Sequence, residues 1–159
     1  MMLSKREIAL AIAAKAHEGA VDKAGAPYIF HPMRVAEAAS KNAAPGLWDS
    51  RYIVGVLHDV LEDSDIAEPE IAEALGIGLD SEIMNALRAI TKEPGEPYHE
   101  FIERCGRNEL ARVVKMHDLE DNMDLDRIPN PGKNDYKRTE KYGVALLYLR
   151  NIVGTGVPF

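Results

Sequence analysis

The stretch from Asp49 to Asp63 constrains the fold more than any other. Ile53, Val54, Val56, Leu57, Val60 and Leu61 cover nearly the whole circumference of a helix, and a helix that is apolar all round has to be buried on every side. Other elements must therefore pack around it. Yet the same stretch carries His58, Asp59, Glu62 and Asp63. Burying charge is costly unless it is paired or coordinates a metal. The chain thus calls for a helical domain whose buried centre holds a group of polar side chains with a common purpose.

The flanking sequence supplies the other helices. Ser4 and Glu7 form a capping box ahead of Ile8, Ala11 and Ile12, so a first helix runs to about His17, with Gly19 as its stop. Residues 22–27 read as a polar loop. Pro32 suits a first helical turn and opens a second helix with His31 at its lip, ending at Pro45-Gly46. The central apolar helix is expected to run unbroken from about Asp49 through Leu61. Shorter helices are expected over 69–75, 81–90 and 98–105, a longer one over 109–123, and a last one over 135–151. No stretch alternates apolar and polar residues for long, as a half-buried strand would. The expected fold class is all-α, a single helical domain over residues 1–159 with its core between about 5 and 150. Residues 154–159 read as a loose tail.

Charge and composition narrow the chemistry. Nineteen basic against twenty-six acidic residues leave a net charge of -7, so no global positive field steers nucleic acid, and none is expected as a partner. A small anionic substrate stays open, because a metal or a few lysines can invert the local field. No apolar run approaches the roughly 18 residues of a membrane span, and the N-terminus shows no signal-peptide core. No membrane partner and a cytoplasmic location are therefore expected. The lone Cys105 excludes a disulfide framework and a four-cysteine zinc site. Oligomeric state is not legible.

Within the central helix, His58 and Glu62 are four apart and share a face, as do Asp59 and Asp63 one step round. A second apolar helix repeats the arrangement: Val113-Val114-Lys115-Met116-His117-Asp118-Leu119, with Asn122 four residues after Asp118. Each His-Asp pair alone is compatible with a hydrogen-bonded core pair. A metal held between the two helices explains both at once. Two histidines and two carboxylates suit Mn²⁺ or Fe²⁺, and Zn²⁺ also fits; the candidates are His31, His58, Asp59 and Asp118. A carboxylate one turn along the same helix can take a proton from water or orient it. Glu62 is the candidate base with Asp63 as its partner, against the plainer reading of an exposed helix end.

These segments carry a resemblance. Asp22-Lys23-Ala24-Gly25 leading to Pro27-Tyr28-Ile29-Phe30-His31-Pro32, then Leu57-His58-Asp59-Val60-Leu61-Glu62-Asp63, then Val114-Lys115-Met116-His117-Asp118-Leu119 with Asn122 are similar to the HD superfamily of metal-dependent phosphohydrolases. Within it, the chain resembles the small stand-alone RelA/SpoT-type alarmone hydrolases over residues 5 to 150. The resemblance implies an HD-type helical bundle with one Mn²⁺ on His31, His58, Asp59 and Asp118. It also implies removal of the 3′-pyrophosphate from guanosine tetra- or pentaphosphate, with Glu62 and Asp63 as the paired acids. Lys23 and Asn122 are implied as substrate contacts, and Arg138 and Tyr142 belong to a segment similar to that family's closing helix. At Asp22 the chain departs from the pattern, since that position commonly carries an arginine that packs against guanine. An acidic side chain makes no such cation–π contact.

Two other readings remain: a phosphohydrolase for another nucleotide or phosphorylated metabolite, and a metal- or nucleotide-binding module without turnover. His117 stands where a small residue is usual and reads as a packing residue ahead of an extra ligand. His17 reads as the close of the first helix, where a cation favours the dipole. The acidic run Glu120-Asp121 with Asp124 and Asp126 reads as a solvated face.

Overall fold

The computed structural model describes residues 1–152; the tail expected over 154–159 lies outside them. Helix α1 spans Lys5–Ala16, α2 Phe30–Lys41, α3 Trp48–Leu57, α4 Val60–Asp63, α5 Glu68–Leu75, α6 Glu82–Ile90, α7 Tyr98–Gly106, α8 Glu109–Asn122 and α9 Lys133–Asn151. Among the described residues the β structure is one isolated bridge between Val21 and Pro27, which closes the loop ahead of α2. The fold is all-helical, as the patterning requires.

The caps show why the helices start where they do. Glu7 N–H donates to Ser4 Oγ at 3.2 Å while Ser4 N–H donates to Glu7 Oε2 at 2.7 Å. That reciprocal pair satisfies two otherwise orphaned donors. Asn108 caps α8 by accepting from the Ala111 N–H at 2.9 Å. At α9 the Asp135 carboxylate reaches back to the Gly132 N–H at 2.8 Å, a bond that also fixes Asp135 beside the cavity described below.

Helix α3 packs against α1, α2, α6 and α8, and Ile53, Val54, Val56 and Leu57 are shielded from solvent. One continuous apolar core joins it to Val35 and Ala36 of α2, Met84 and Leu87 of α6, Val114 and Leu119 of α8, and Leu149 of α9. Helices α2 and α3 approach closely at Gly55, where an added Cβ would lie 2.6 Å from the Ala36 Cα. Only hydrogen fits between the two backbones there, so α2 is held tightly along α3.

The central helix is not continuous through Leu61. It ends at Leu57, and His58 and Asp59 form a turn before α4 restarts. The cause is local. His58 Nδ1 lies 2.6 Å from the Gly55 carbonyl oxygen, the acceptor that a straight helix would offer to the Asp59 N–H. The break turns His58 and Asp59 toward α2 and α8.

Candidate metal centre and adjoining cavity

Three helices deliver the polar side chains to one point. His31 comes from the first turn of α2, His58 from the break after α3, and Asp118 from α8; all three are buried. Each presents one ligand atom within 4.8 Å of the other two. Asp118 Oδ1 is 3.0 Å from His31 Nε2 and 3.3 Å from His58 Nε2. Asp59 lies beside this triad, its Oδ2 3.1 Å from His58 Nε2 and 3.7 Å from His31 Nε2.

Proton placement decides what these groups offer. A carbonyl can only accept, so His58 Nδ1 donates to Gly55 O, and in the neutral ring the lone pair is on Nε2. His31 Nδ1 lies 2.7 Å from Asp121 Oδ2, which accepts in the same way. Both Nε2 atoms are buried without a hydrogen-bond partner. They face an Asp118 carboxylate that is itself held on both oxygens, Oδ1 by Asn122 Nδ2 at 2.8 Å and Oδ2 by Lys115 Nζ at 2.7 Å. Two buried imidazole lone pairs and a buried carboxylate that converge without satisfying one another fit a divalent cation.

The electrostatics point the same way. Burial opposes charge on both imidazoles, yet Asp118 and Asp121 around His31, and Asp59 and Asp118 around His58, raise their pKa values. Burial likewise opposes charge on Asp59, but the His58 imidazole outweighs it and brings the carboxyl down to about 2. The carboxylates around the two imidazoles thus favour positive charge at this point. Tyr28 donates its hydroxyl to Asp59 Oδ2 at 2.6 Å, which steadies that carboxylate.

Glu62 and Asp63 lie on the short α4 immediately beyond Asp59 and are exposed. Partial burial, then the charge of Asp59, raises both carboxyls. A cavity of about 310 Å³ opens beside His31, walled by Asp22, Lys23, Tyr28, Arg34, Asp121, Asn122, Arg127 and Arg138. Each of its cations meets an aspartate. Lys23 Nζ is 3.6 Å from Asp135 Oδ1, Arg138 pairs with the same carboxylate, Arg34 Nε is 2.8 Å from Asp121, and Arg127 Nη1 is 2.8 Å from Asp124.

Of the residues singled out in the sequence, His31, His58, Asp59 and Asp118 converge, and Lys23, Asn122 and Arg138 line the cavity with His31. Tyr142 is half-buried against the core and is not part of the cavity wall; neighbouring Lys141 sits over the Tyr98 ring at 3.8 Å. Asp22 is a loop organiser, its Oδ1 accepting from the Ala24 N–H at 2.8 Å and the Ala26 N–H at 2.9 Å. His117 Nδ1 is 3.1 Å from Glu120 Oε2 and lies outside the triad. His17 does follow α1, but burial lowers its pKa, and its ring packs on Tyr28 at 4.9 Å. Its role is packing against Tyr28, and burial disfavours the cation that a dipole-facing cap would need.

The acidic run after Asp118 needs correction. Asp121 is partly buried and holds His31, Arg34 and Arg127. It stands three residues after Asp118, one helical turn on, and that spacing was its signal in the sequence. Lys115, three residues before Asp118, carried the same signal and holds the other side of that carboxylate.

Comparison with known proteins adds to this geometry. The chain matches no family profile. It is 31% identical over 109 residues, or 64% of its length, to the guanosine-3′,5′-bis(diphosphate) 3′-pyrophosphohydrolase of Aquifex aeolicus. It is 35% identical over 120 residues, or 70% of its length, to the protein of the same name from Haemophilus influenzae. The chain resembles the RelA/SpoT-type alarmone hydrolases. It spans 15% and 17% of those relatives' length. A solved structure described as a metazoan ortholog of SpoT that hydrolyses ppGpp shares the fold, with a TM-score of 0.73 at 21% identity, covering 99% of this chain and 90% of that one.

Proposed function

We propose that this chain is a metal-dependent hydrolase that removes the 3′-pyrophosphate from guanosine 3′-diphosphate 5′-di- or triphosphate. The observation that carries the reading is the pair of unpartnered Nε2 atoms facing Asp118, in a chain several of whose matched relatives bear the name of 3′-pyrophosphohydrolase, others being named GTP pyrophosphokinases. His31, His58, Asp118 and Asp59 hold the ion, Mn²⁺ by resemblance, with Fe²⁺ and Zn²⁺ also suited to the donor set. When bound, such an ion lowers the pKa of water and polarises a phosphoryl oxygen.

The chain's own groups do the rest. Glu62 takes the proton of the attacking water on its carboxylate, which partial burial, then Asp59 and its partner Asp63, raise above the ordinary carboxylate value. Water adds to the phosphorus bonded to the 3′ oxygen, the P–O3′ bond breaks, and the 3′ oxygen takes up a proton as pyrophosphate leaves. Lys23 and Arg138 at the cavity rim bind the nucleotide's phosphates. Asn122 orients Asp118 and faces the nucleotide, with Tyr142, within electrostatic reach of Arg138 and Lys115, as a further nucleotide contact. The HD-type domain spans the chain as one unit, and its partner is a phosphorylated nucleotide.

Asp22 favours a second reading, hydrolysis of another phosphorylated nucleotide. Its carboxylate is committed to the Ala24 and Ala26 N–H groups and offers a guanine base no stacking surface. Comparing kcat/KM on guanosine tetraphosphate, GDP, GTP and a chromogenic phosphoester separates the two. The proposal requires a clear preference for the tetraphosphate; equal or greater turnover of the others selects the second reading.

A further inference from the structure

Asp121 receives more donors than any other carboxylate near the centre. Its Oδ2 lies 2.7 Å from His31 Nδ1, 3.0 Å from Arg34 Nη2 and 3.2 Å from Arg127 Nη2, and its Oδ1 lies 2.8 Å from Arg34 Nε. We propose that Asp121 is a positioning residue that fixes the metal-facing tautomer of His31 and ties metal binding there to the cationic wall formed by Arg34 and Arg127. The proposal rests on the metal reading above.

The tautomer argument is one of donors and acceptors. An ionised carboxylate only accepts, so His31 Nδ1 keeps its hydrogen and the lone pair stays on Nε2, 3.0 Å from Asp118 Oδ1. Without Asp121 the hydrogen is free to move to Nε2, where it blocks a ligand position. A carboxylate behind a ligating imidazole also raises its basicity. Here that support is divided, because both guanidinium groups use Oδ2, the oxygen that serves His31. Removing a guanidinium returns charge to the imidazole and strengthens the metal bond, but only while Asp121 is present.

The test is a double-mutant cycle read by Mn²⁺ titration, with Zn²⁺ as the second probe. Asp121→Asn is expected to weaken Mn²⁺ binding by about 10–100-fold, and Arg34→Gln to tighten it several-fold. Arg34→Gln in the Asp121→Asn background is expected to change nothing. Wild-type affinity in Asp121→Asn overturns the proposal. So does equal tightening by Arg34→Gln in both backgrounds, which is plain repulsion between cations. A wild-type chain that binds neither ion refutes the metal reading itself. Melting of the metal-free variants separates loss of fold from loss of affinity. If Asp121→Asn does not fold, ¹⁵N NMR of the zinc-loaded wild type decides: hydrogen on His31 Nδ1 with Nε2 bound supports the assignment, and the opposite tautomer ends it.

Discussion

Gly55→Ala tests whether the metal centre depends on how closely α2 lies along α3. The added Cβ would sit 2.6 Å from the Ala36 Cα and 3.0 Å from the Ala36 N. Carbon atoms make comfortable contact from about 3.5 Å, so α2 must retreat by about 1 Å. The obstacle is backbone, which no rotamer change relieves. Overpacking of this kind costs about 1–3 kcal/mol, and alanine recovers about 1 kcal/mol over glycine in a helix interior. Net destabilisation of up to about 2 kcal/mol follows, a drop of up to about 8 °C in Tm for a chain of this size. The site suffers more than the fold. His31 rides on α2, five residues before Ala36, whereas His58 follows α3. Metal sites hold their distances within about 0.2 Å, so a shift of about 1 Å should lower Mn²⁺ affinity at least about tenfold. Thermal melts in chelator and metal titration of the same samples measure the two effects. Unchanged metal affinity alongside the lowered Tm would refute the claim that this contact sets the position of His31.

Other expectations follow from single contacts. Asp118→Ala should bind no metal, while Glu62→Ala should keep the wild-type metal content and lose at least about 100-fold in kcat, the usual contribution of a positioned base; metal analysis and rates of the purified variants check both. Protons compete with the ion for the two Nε2 atoms, and both imidazoles are raised above the ordinary 6.5. Metal affinity should therefore fall as the pH is lowered, beginning above the ordinary imidazole value, and a titration that stays flat down through that value would count against the assignment. Asp22→Arg removes the acceptor for the Ala24 and Ala26 N–H groups. It should raise KM with the metal content unchanged, and a lowered KM would mean that the loop tolerates the loss.

How far the sequence could be read depended on whether a signal was local. Ser4 with Glu7, and the all-round apolar face from Ile53 to Leu61, announced the first and central helices because caps and periodicity are properties of short segments. The break at His58 was hidden, because it arises from one side chain taking the Gly55 carbonyl, and periodicity cannot register that. His31, His58, Asp59 and Asp118 stood out as charge placed in apolar surroundings. Asp121 did not, because its neighbours Glu120 and Asp124 are the ordinary dress of a solvated helix end. What separates it is that α2 brings His31 and Arg34 against it, a contact across nearly ninety residues. Asp22 was legible as an acidic departure, but its two backbone bonds were visible only in the folded loop.

Release of pyrophosphate from guanosine tetraphosphate by the purified chain, with and without Mn²⁺ and with Asp118→Ala alongside, tests the central claim most directly. The account predicts stoichiometric pyrophosphate and GDP from the metal-loaded wild type and none from the variant or the chelated protein. Metal-loaded, folded wild-type protein that releases no pyrophosphate would contradict it.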